Sequence, residues 1–251
     1  MGRIAVLLNQ KGGVGKTTVT LGLASAAAHA GHRVLVVDLD PQGSSTWVLG
    51  HDPSRDQAST ANVIATAQHP LNILMSKWGL EVDLVPASPS LQEHEAGNPK
   101  RLRRALRRVA DQYDAVLIDC PPSLGNLTMN GLIAADLALI VVEPAALGLR
   151  GIGSVADVID DVWNSHNPDL ELAGVIVNKV PAISAEADRR YDELARIVGR
   201  KTMWQPPIPQ RVIVNQAIGE RRPIHSFGAR STDVSVAFDK LWAKLHRLAK
   251  A

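Results

Sequence analysis

Short aliphatic runs alternate along the chain with longer stretches in which apolar residues recur every third or fourth position. The runs are typical of buried strands, and they lie at 3–8, 33–40, 115–122, 137–144 and 172–179. The helical periodicity occurs at 16–30, 59–67, 99–111, 149–165, 184–198 and 232–249. Strands that alternate with helices predict an α/β fold with a doubly wound, mostly parallel sheet flanked by helices.

The rest of the chain changes this picture little. The stretch 203–209 carries three prolines and predicts an edge strand followed by a loop. No linker interrupts the pattern, so we expect a single domain over residues 1–251. Hydrophobic residues at 45% and charged residues at 21% are ordinary for a globular protein.

Polar segments follow four of the predicted strands at the point where each strand ends. They comprise residues 10–17, 38–43 and 119–123, and Asn178. Because ligands of open α/β sheets bind beyond the carboxyl ends of the strands, we expect these segments to form one site.

The first of these segments, QKGGVGKTT, lies between a strand and a helix and resembles a phosphate-binding loop. Glycines let backbone N–H groups wrap phosphate oxygens, so the expected phosphate contacts are Gly12, Gly13, Val14, Gly15, Lys16, Thr17 and Thr18. Lys16 would lie against the β and γ phosphates of the nucleotide, and Thr17 would ligate Mg²⁺ together with Asp119.

The loop departs from the usual pattern at two positions. Gln10 stands where the first glycine is expected, and a second lysine, Lys11, stands five residues before Lys16. The acids of the DLDPQG segment are open to two interpretations. Asp40 either caps a turn or orients a water molecule against the γ phosphate.

Together the segments QKGGVGKTT, VDLDPQGSST and IDCPPSLGNLTMNGL resemble the ParA/MinD family of ATPases, and the resemblance to the ParA (Soj) branch runs from Ile4 to about residue 212. It implies that Lys11 reaches the ATP bound by a partner subunit. It also implies that Asp40 positions the attacking water and that Asp119 is the Walker B acid. Asn178 would contact the adenine, and Pro209 would lie in the loop that covers it.

The resemblance further implies a slow ATPase that uses ATP and Mg²⁺ and forms a homodimer with ATP. Its expected partners are non-specific DNA and a ParB-like or small DNA-binding adaptor protein that stimulates hydrolysis. The segments DPQG and CPPSLG look ParA-like rather than MinD-like, so a membrane is not the expected partner. A MinD-like positioning ATPase and a metabolic P-loop kinase or synthetase stay as alternatives.

Basic residues do not by themselves identify a DNA surface, because the net charge is only +2. The last helix has an apolar face and a basic face, and it either packs on the sheet, binds DNA or lies on a membrane. On the run 100–109 we expect Arg101, Arg104 and Arg108 on one outer stripe. Further basic candidates are Arg189, Arg190, Arg221 and Arg222.

One departure from the family pattern weakens the inherited DNA function. ParA proteins usually carry IPRNVRLSEA where this chain has IPQRVIVNQA, so Gln210 and Ile213 replace arginines. The first strand starts near Arg3, which predicts a short form without an N-terminal helix-turn-helix domain. One cysteine, Cys120, and a short apolar N-terminal run lead us to expect a cytoplasmic protein. The resemblance to the ParA branch implies association with the nucleoid.

Overall fold

The computed structural model describes residues 2–55, 58–66, 71–94, 98 and 100–250, with the side chains of 94 and 146–150 outside the description. Within this part of the chain, seven strands form one sheet in the order β3-β4-β2-β5-β1-β6-β7. All neighbouring strands are parallel except β3 and β4, so the predicted α/β fold is confirmed. The strands are β1 (Arg3–Leu8), β2 (Val34–Asp38), β3 (Leu74–Met75), β4 (Val82–Val85), β5 (Ala115–Asp119), β6 (Leu137–Val142) and β7 (Glu171–Val177).

Helices cover both faces of the sheet. They are α1 (Lys16–His29), α2 (Ser44–Val48), α3 (Thr60–Ala65), α4 (Lys100–Leu106), α5 (Asn126–Ala134), α6 (Ala146–Ser165), α7 (Ala185–Val198), α8 (Val212–Gly219) and α9 (Thr232–Lys250). Short 3₁₀ helices lie at Pro89–His94, Ala110–Gln112 and Ile224–Ser231.

Predicted and observed elements differ mostly at their ends. The strands predicted at 33–40, 115–122 and 137–144 end earlier, at Asp38, Asp119 and Val142. The helix predicted at 99–111 is observed as α4 followed by a separate 3₁₀ turn. Residue 99 of this prediction lies outside the described part of the chain, and so does residue 67 of the helix predicted at 59–67.

The edge strand predicted at 203–209 is wrong. This stretch pairs with β7 and the loop after it only through isolated bridges, Val175 with Met203 and Val180 with Pro209. Prolines have no N–H group to donate, so a continuous ladder cannot form here. The sequence prediction missed five elements, namely α2, β3, β4, α5 and α8.

Side chains alternate between the two faces of the central strand β1. Ile4, Val6 and Leu8 pack with one buried cluster, whereas Ala5 and Leu7 pack with the other. The second cluster includes α1, α8 and α9, which places these helices on one face of the sheet. The site at the carboxyl edge is therefore built on strands whose positions are fixed from both sides.

The C-terminal helix α9 packs with its apolar face on this second cluster. Phe238, Leu241 and Trp242 are buried. Gly22 of α1 lies so close to the Phe238 ring that a Cβ atom there would be 2.1 Å from a ring carbon. The apolar face of this helix is thus packed on the sheet, and DNA binding by its basic residues stays a prediction. No helix in the described part of the chain is long and apolar enough to span a membrane.

The outer stripe of arginines predicted on the run 100–109 is only partly confirmed. Arg104 and Arg108 are exposed, but Arg101 is half-buried and donates hydrogen bonds to the carbonyl oxygens of Ile64 and Ala65. The guanidinium group thereby satisfies carbonyl groups at the end of α3, so Arg101 is not part of an outer surface. A periodicity argument cannot detect this contact because it depends on a neighbouring helix.

Candidate nucleotide-binding site

Three of the four predicted segments begin at neighbouring strand ends. In the sheet register Leu7 of β1 lies opposite Asp119 of β5, and Asp119 lies opposite Asp38 of β2. The glycine-rich loop continues from β1, and Asn178 follows directly after β7. The structure thus brings the predicted segments to one edge of the sheet.

Glycine is required at two positions of the loop. Gly13 and Gly15 have φ angles of 80° and 89°, which side-chain-bearing residues rarely adopt. Val14 between them is buried, and its carbonyl oxygen accepts a hydrogen bond of 2.9 Å from the Asn178 side chain. A Cβ atom at Gly15 would lie 2.2 Å from the same amide nitrogen. Asn178 therefore holds the loop in place.

A second contact from the same segment was not expected from the sequence. Lys179 adopts a φ angle of 57°, and its ammonium group donates to the carbonyl oxygen of Gly13. Lys179 and Asn178 together fix two carbonyl groups of the loop. The Asn-Lys pair after a buried strand was the only signal for this role in the sequence.

Lys16 begins α1 and is buried. Burial lowers the pKa of its ammonium group, while Asp119, Cys120 and Asp40 act in the opposite direction. A cation that has lost much of its hydration gains most from an anion placed beside it. Lys16 is thus suited to bind a phosphate group.

Asp119 has the features expected of a metal-binding carboxylate. It is fully buried, and its Oδ2 atom accepts a hydrogen bond of 2.7 Å from Ser45 of α2. Its Oδ1 atom is buried without a hydrogen-bond partner among the described residues. Burial raises the pKa of Asp119, and the nearby hydroxyl groups of Ser45 and Thr17 oppose that rise. An unpaired carboxylate oxygen beside a threonine hydroxyl fits Mg²⁺, which prefers oxygen ligands.

Asp38 has a structural role that the sequence did not predict. Its Oδ2 atom accepts hydrogen bonds of 2.8 and 2.7 Å from the backbone N–H and hydroxyl groups of Thr46, and its Oδ1 atom accepts one from the Asp40 N–H. Burial and the neighbouring Asp119 raise the pKa of Asp38. The carboxyl group fixes the turn between β2 and α2.

Asp40 lies in that turn and is partly buried. Its Oδ1 atom accepts a hydrogen bond of 3.0 Å from the N–H of Gln42, and its carbonyl oxygen accepts one of 2.8 Å from Gly43. The turn-capping interpretation is therefore observed. The second interpretation, a residue that orients water, stays a prediction.

Lys11 has an acidic partner of its own. Its ammonium group pairs with Glu143, which follows β6, and its backbone N–H donates 2.9 Å to Asn9 Oδ1. The Lys11 side chain is 31% exposed, whereas Lys16 is only 6% exposed. The two lysines of the loop thus occupy different environments, one inside the site and one at its border. Glu143 was not predicted from the sequence.

A pocket beside the loop includes Asn178 and Pro209, the two residues for which the resemblance implies adenine contacts. It is lined by Thr18, Asn178, Lys179, Pro209, Gln210, Arg211, Val214 and Asn215. Gln210 donates its N–H to the Val180 carbonyl oxygen at 2.8 Å, which holds the Pro209 loop against the segment after β7. Sequence reasoning found Thr18, Asn178 and Pro209 but missed the wall from α8, because α8 itself was not predicted.

A parallel sheet with a glycine-rich loop at its carboxyl edge, a buried lysine and an opposed acid defines the class of P-loop nucleotide-binding proteins. Comparison with known proteins is more specific. A family model described as AAA domain matches residues 2–172. The sporulation initiation inhibitor protein Soj of Bacillus subtilis is 32% identical over 245 residues, covering 95% of this chain and 96% of Soj.

Two further known proteins are similar to this chain. The chromosome partitioning protein ParA of Myxococcus xanthus is 34% identical, over 92% of this chain and 83% of ParA. A crystal structure described as cobyrinic acid a,c-diamide synthase of Mycobacterium smegmatis, with bound ADP and magnesium, is 31% identical with a TM-score of 0.83 and covers 100% of this chain and 96% of that one. The chain belongs to the ParA/MinD family of P-loop ATPases, in its ParA branch.

Proposed function

We propose that this protein is an ATP-dependent dimerising ATPase of the ParA type, which acts in DNA partitioning or cargo positioning. In this proposal residues 1–251 form one domain that binds ATP and Mg²⁺ at the loop. The observation that carries the proposal is the pair of loop lysines, one buried beside Asp119 and one partly exposed at the border of the site. A second copy of the chain can reach only the exposed one.

Each predicted residue has a role in this proposal. Backbone N–H groups of Gly12 through Thr18 bind the phosphates, and Lys16 compensates their charge. Thr17 and Asp119 hold Mg²⁺, which neutralises charge on the transferred phosphate when it is bound. Asp40 orients the attacking water, and Asn178 and Pro209 contact the adenine. The free carboxylate oxygen of Asp119 supports the metal assignment.

Lys11 acts across the dimer interface in this proposal. Within its own chain Lys11 pairs with Glu143, whose side chain is only 23% exposed. When the Lys11 ammonium group moves to the phosphates bound by the second copy, it exchanges the Glu143 carboxylate for another anion. Because the γ phosphates hold the two halves together, hydrolysis releases the dimer. ATP thus sets the lifetime of the dimer.

The dimer binds DNA without sequence preference, and a ParB-like or small adaptor protein stimulates hydrolysis. The names of the Soj and ParA relatives support this branch, and nucleoid association follows from it. The MinD-like alternative needs a free amphipathic helix at the membrane. The apolar face of α9 is packed against α1, which disfavours that alternative.

The dimer is tested with Asp40→Ala. This variant should bind Mg-ATP and stay dimeric for longer than the wild type, because hydrolysis no longer removes the γ phosphate. Lys11→Ala is the matched control and should stay monomeric. Light scattering after size-exclusion chromatography with saturating Mg-ATP measures both. A monomeric Asp40→Ala variant that binds ATP would contradict the sandwich mechanism.

A synthetase is the second candidate, because the Mycobacterium smegmatis relative is described as a diamide synthase. Such an enzyme couples ATP cleavage to bond formation on a carboxylate substrate, so phosphate release would require that acceptor. We expect phosphate release from ATP and water alone. Release that starts only after a carboxylate and ammonia are added would favour the synthetase.

A further inference from the structure

A polar pocket lies at the C-terminal end of α2. It is lined by Trp47, Gly50, His51, Asp52, Arg55, Lys77 and Arg221, and we refer to it as the Trp47 pocket. Three of these residues are permanently charged cations, and one is a carboxylate. The pocket therefore has a positive charge at neutral pH, and Trp47 contributes a ring that is 37% exposed.

Arg221 is placed in the pocket by an uncommon backbone conformation. Its φ angle is 54°, which favours glycine, yet the position carries the longest cationic side chain. The guanidinium carbon lies 4.0 Å from the centre of the Trp47 ring. Trp78 donates its indole N–H to the Arg221 carbonyl oxygen at 3.1 Å. Two tryptophans thus fix both the backbone and the charge of Arg221.

Lys77 is held in the pocket by contacts with the segment that follows α2. Its side chain lies so close to Gly50 that a Cβ atom at Gly50 would be 2.6 Å from the Lys77 Cβ. Its backbone N–H donates to the Leu49 carbonyl oxygen at 2.9 Å. The ammonium group therefore extends from an anchored stem.

Two cations of this pocket, Lys77 and Arg221, differ from most arginines of the described chain. Carboxylates pair with Arg3, Arg33, Arg103, Arg107, Arg189, Arg190, Arg200, Arg211 and Arg222. No carboxylate oxygen of the described residues lies within 4.0 Å of the charged groups of Lys77 and Arg221. Asp52 is the one carboxylate of the pocket; it pairs with Arg55 at 3.8 Å and also interacts electrostatically with Arg221. Three cations therefore share one carboxylate, and the remaining positive charge suits an external anion.

The neighbouring surface indicates an extended anion. A second pocket shares Arg55 with the first and is lined by hydroxyl and amide side chains, those of Ser54, Asn62, Ser88 and Ser90. Arginine, lysine, serine and asparagine are the side chains that contact the DNA backbone in protein–DNA complexes. The hydroxyl groups of Ser54, Ser88 and Ser90 already make hydrogen bonds within the chain, so Arg55 is the charged group that continues the cationic surface into the second pocket. Cations spread over two adjoining pockets match successive phosphates better than they match a single small anion.

We propose that the Trp47 pocket binds the phosphate backbone of DNA through Lys77 and Arg221, with Trp47 holding the Arg221 guanidinium group in position. This assignment rests on the DNA binding in the proposed function and gives it a location. Arg55 extends the contact along the strand.

Helix α2 connects the proposed DNA site to the nucleotide site. Ser45 and Thr46, which precede Trp47 in α2, donate hydrogen bonds to Asp119 and Asp38 of the nucleotide site. A change in the hydrogen bonds of these acids therefore moves the helix that carries Trp47. This short connection gives a physical route by which the bound nucleotide alters the DNA surface.

Arg221→Gly and Lys77→Gln test the proposal. Glycine readily adopts the positive φ angle of position 221, so Arg221→Gly removes the charge without straining the backbone. With Mg-ATP and a random-sequence duplex, each variant should weaken binding about five- to tenfold near 0.1 M salt. The slope of log K against log salt should fall by about 1 for each variant, measured by fluorescence anisotropy.

Arg189→Gln and Arg200→Gln are matched controls, because each removes one charge from an exposed ion-paired arginine. ATP binding and basal phosphate release should stay at the wild-type level in all four variants. Equal losses of DNA binding in the controls would show that only net charge matters and would overturn the assignment.

Two other results would also overturn it. Unchanged affinity and salt slope in Arg221→Gly and Lys77→Gln would place the DNA elsewhere while leaving the proposed function intact. Loss of binding to anionic phosphatidylserine vesicles without loss of DNA binding would assign the pocket to a membrane surface. A wild-type protein that dimerises with ATP yet retains no DNA would contradict both the pocket and the DNA branch of the proposed function.

Discussion

The side-chain amide of Asn178 donates a hydrogen bond of 2.9 Å to the carbonyl oxygen of Val14. The two residues are far apart in the chain, but β7 lies two strands from β1 in the sheet. The contact is buried, so water cannot replace it if it is lost. The end of β7 therefore helps to determine the shape of the glycine-rich loop.

Asn178→Ala should destabilise the protein and weaken nucleotide binding. The change leaves the buried Val14 carbonyl group without a partner, at a cost of about 1–3 kcal/mol in the free energy of unfolding. Urea unfolding and calorimetric titration with ATP measure the two effects. Asn215→Ala is the control, because Asn215 is an exposed residue of the same pocket. Equal stability of both variants would show that the contact does not hold the loop.

Gly22→Ala should destabilise the contact between α1 and α9. The added methyl group would meet the Phe238 ring at 2.1 Å, and overpacking of this kind costs about 1–3 kcal/mol. Thermal unfolding measures the loss. A second change, Phe238→Leu, makes space and should recover part of the stability in the double variant.

Gly153→Ala in α6 is the matched control for this prediction. Nothing lies within 4 Å of a Cβ atom at Gly153, so alanine should stabilise this helix by up to about 1 kcal/mol. If Gly22→Ala raised the melting temperature as well, α9 would not pack on α1 in solution.

The protein should lose stability as the pH falls below about 6.5, partly through His225. Its ring nitrogens contact Ser25 Oγ at 2.7 Å and Asp239 Oδ1 at 3.0 Å. Burial lowers the pKa of His225, although Asp239 partly opposes the effect. The unfolded chain then takes up a proton at a higher pH than the folded chain, so acid favours unfolding.

His225→Gln should reduce this pH dependence, since glutamine does not titrate. The free energy of unfolding, measured in urea from pH 7.5 to pH 5, should fall less steeply than in the wild type. His166→Gln, at an exposed position, should leave the slope unchanged. A slope for His225→Gln equal to that of the wild type would assign the acid sensitivity to other groups.

Glu143→Gln should favour dimerisation with ATP, because the change frees Lys11 from its pair within the chain. Ion pairs that are partly exposed contribute up to about 1 kcal/mol, so the dimer dissociation constant should fall by no more than about fivefold. Sedimentation velocity with Mg-ATP measures it. Glu171→Gln, which removes a pair with Arg3 at the other end of the sheet, should have no effect. A weaker dimer in Glu143→Gln would mean that Glu143 itself contributes to the interface.

The sequence predicted the central strands and the long helices well because each one buries a regular apolar pattern. Its errors fall where the pattern is broken. β4 was missed since Asp83 interrupts the apolar run, and only the fold shows that Arg33 and Tyr113 donate hydrogen bonds to it. α2 is five residues long, too short for any periodicity to be detected.

For the candidate site, too, the sequence named some of the residues and missed others. The chemistry of the loop depends on residue types at fixed spacing, so the sequence alone names Lys11, Lys16 and Thr17 as candidates, and their roles stay predictions. Ser45, Glu143 and Lys179 were not named, because each acts through a contact with a residue distant in the chain.

The sequence by itself determined the class of fold, the phosphate-binding loop and the family resemblance, since these depend on local patterns. The tertiary structure alone decided that Asn178 and Lys179 hold the loop, that the apolar face of α9 is covered, and that Arg221 lies on Trp47. Such contacts join residues that the chain separates and the sheet brings together. Their energies come from burial and geometry, which no local pattern records.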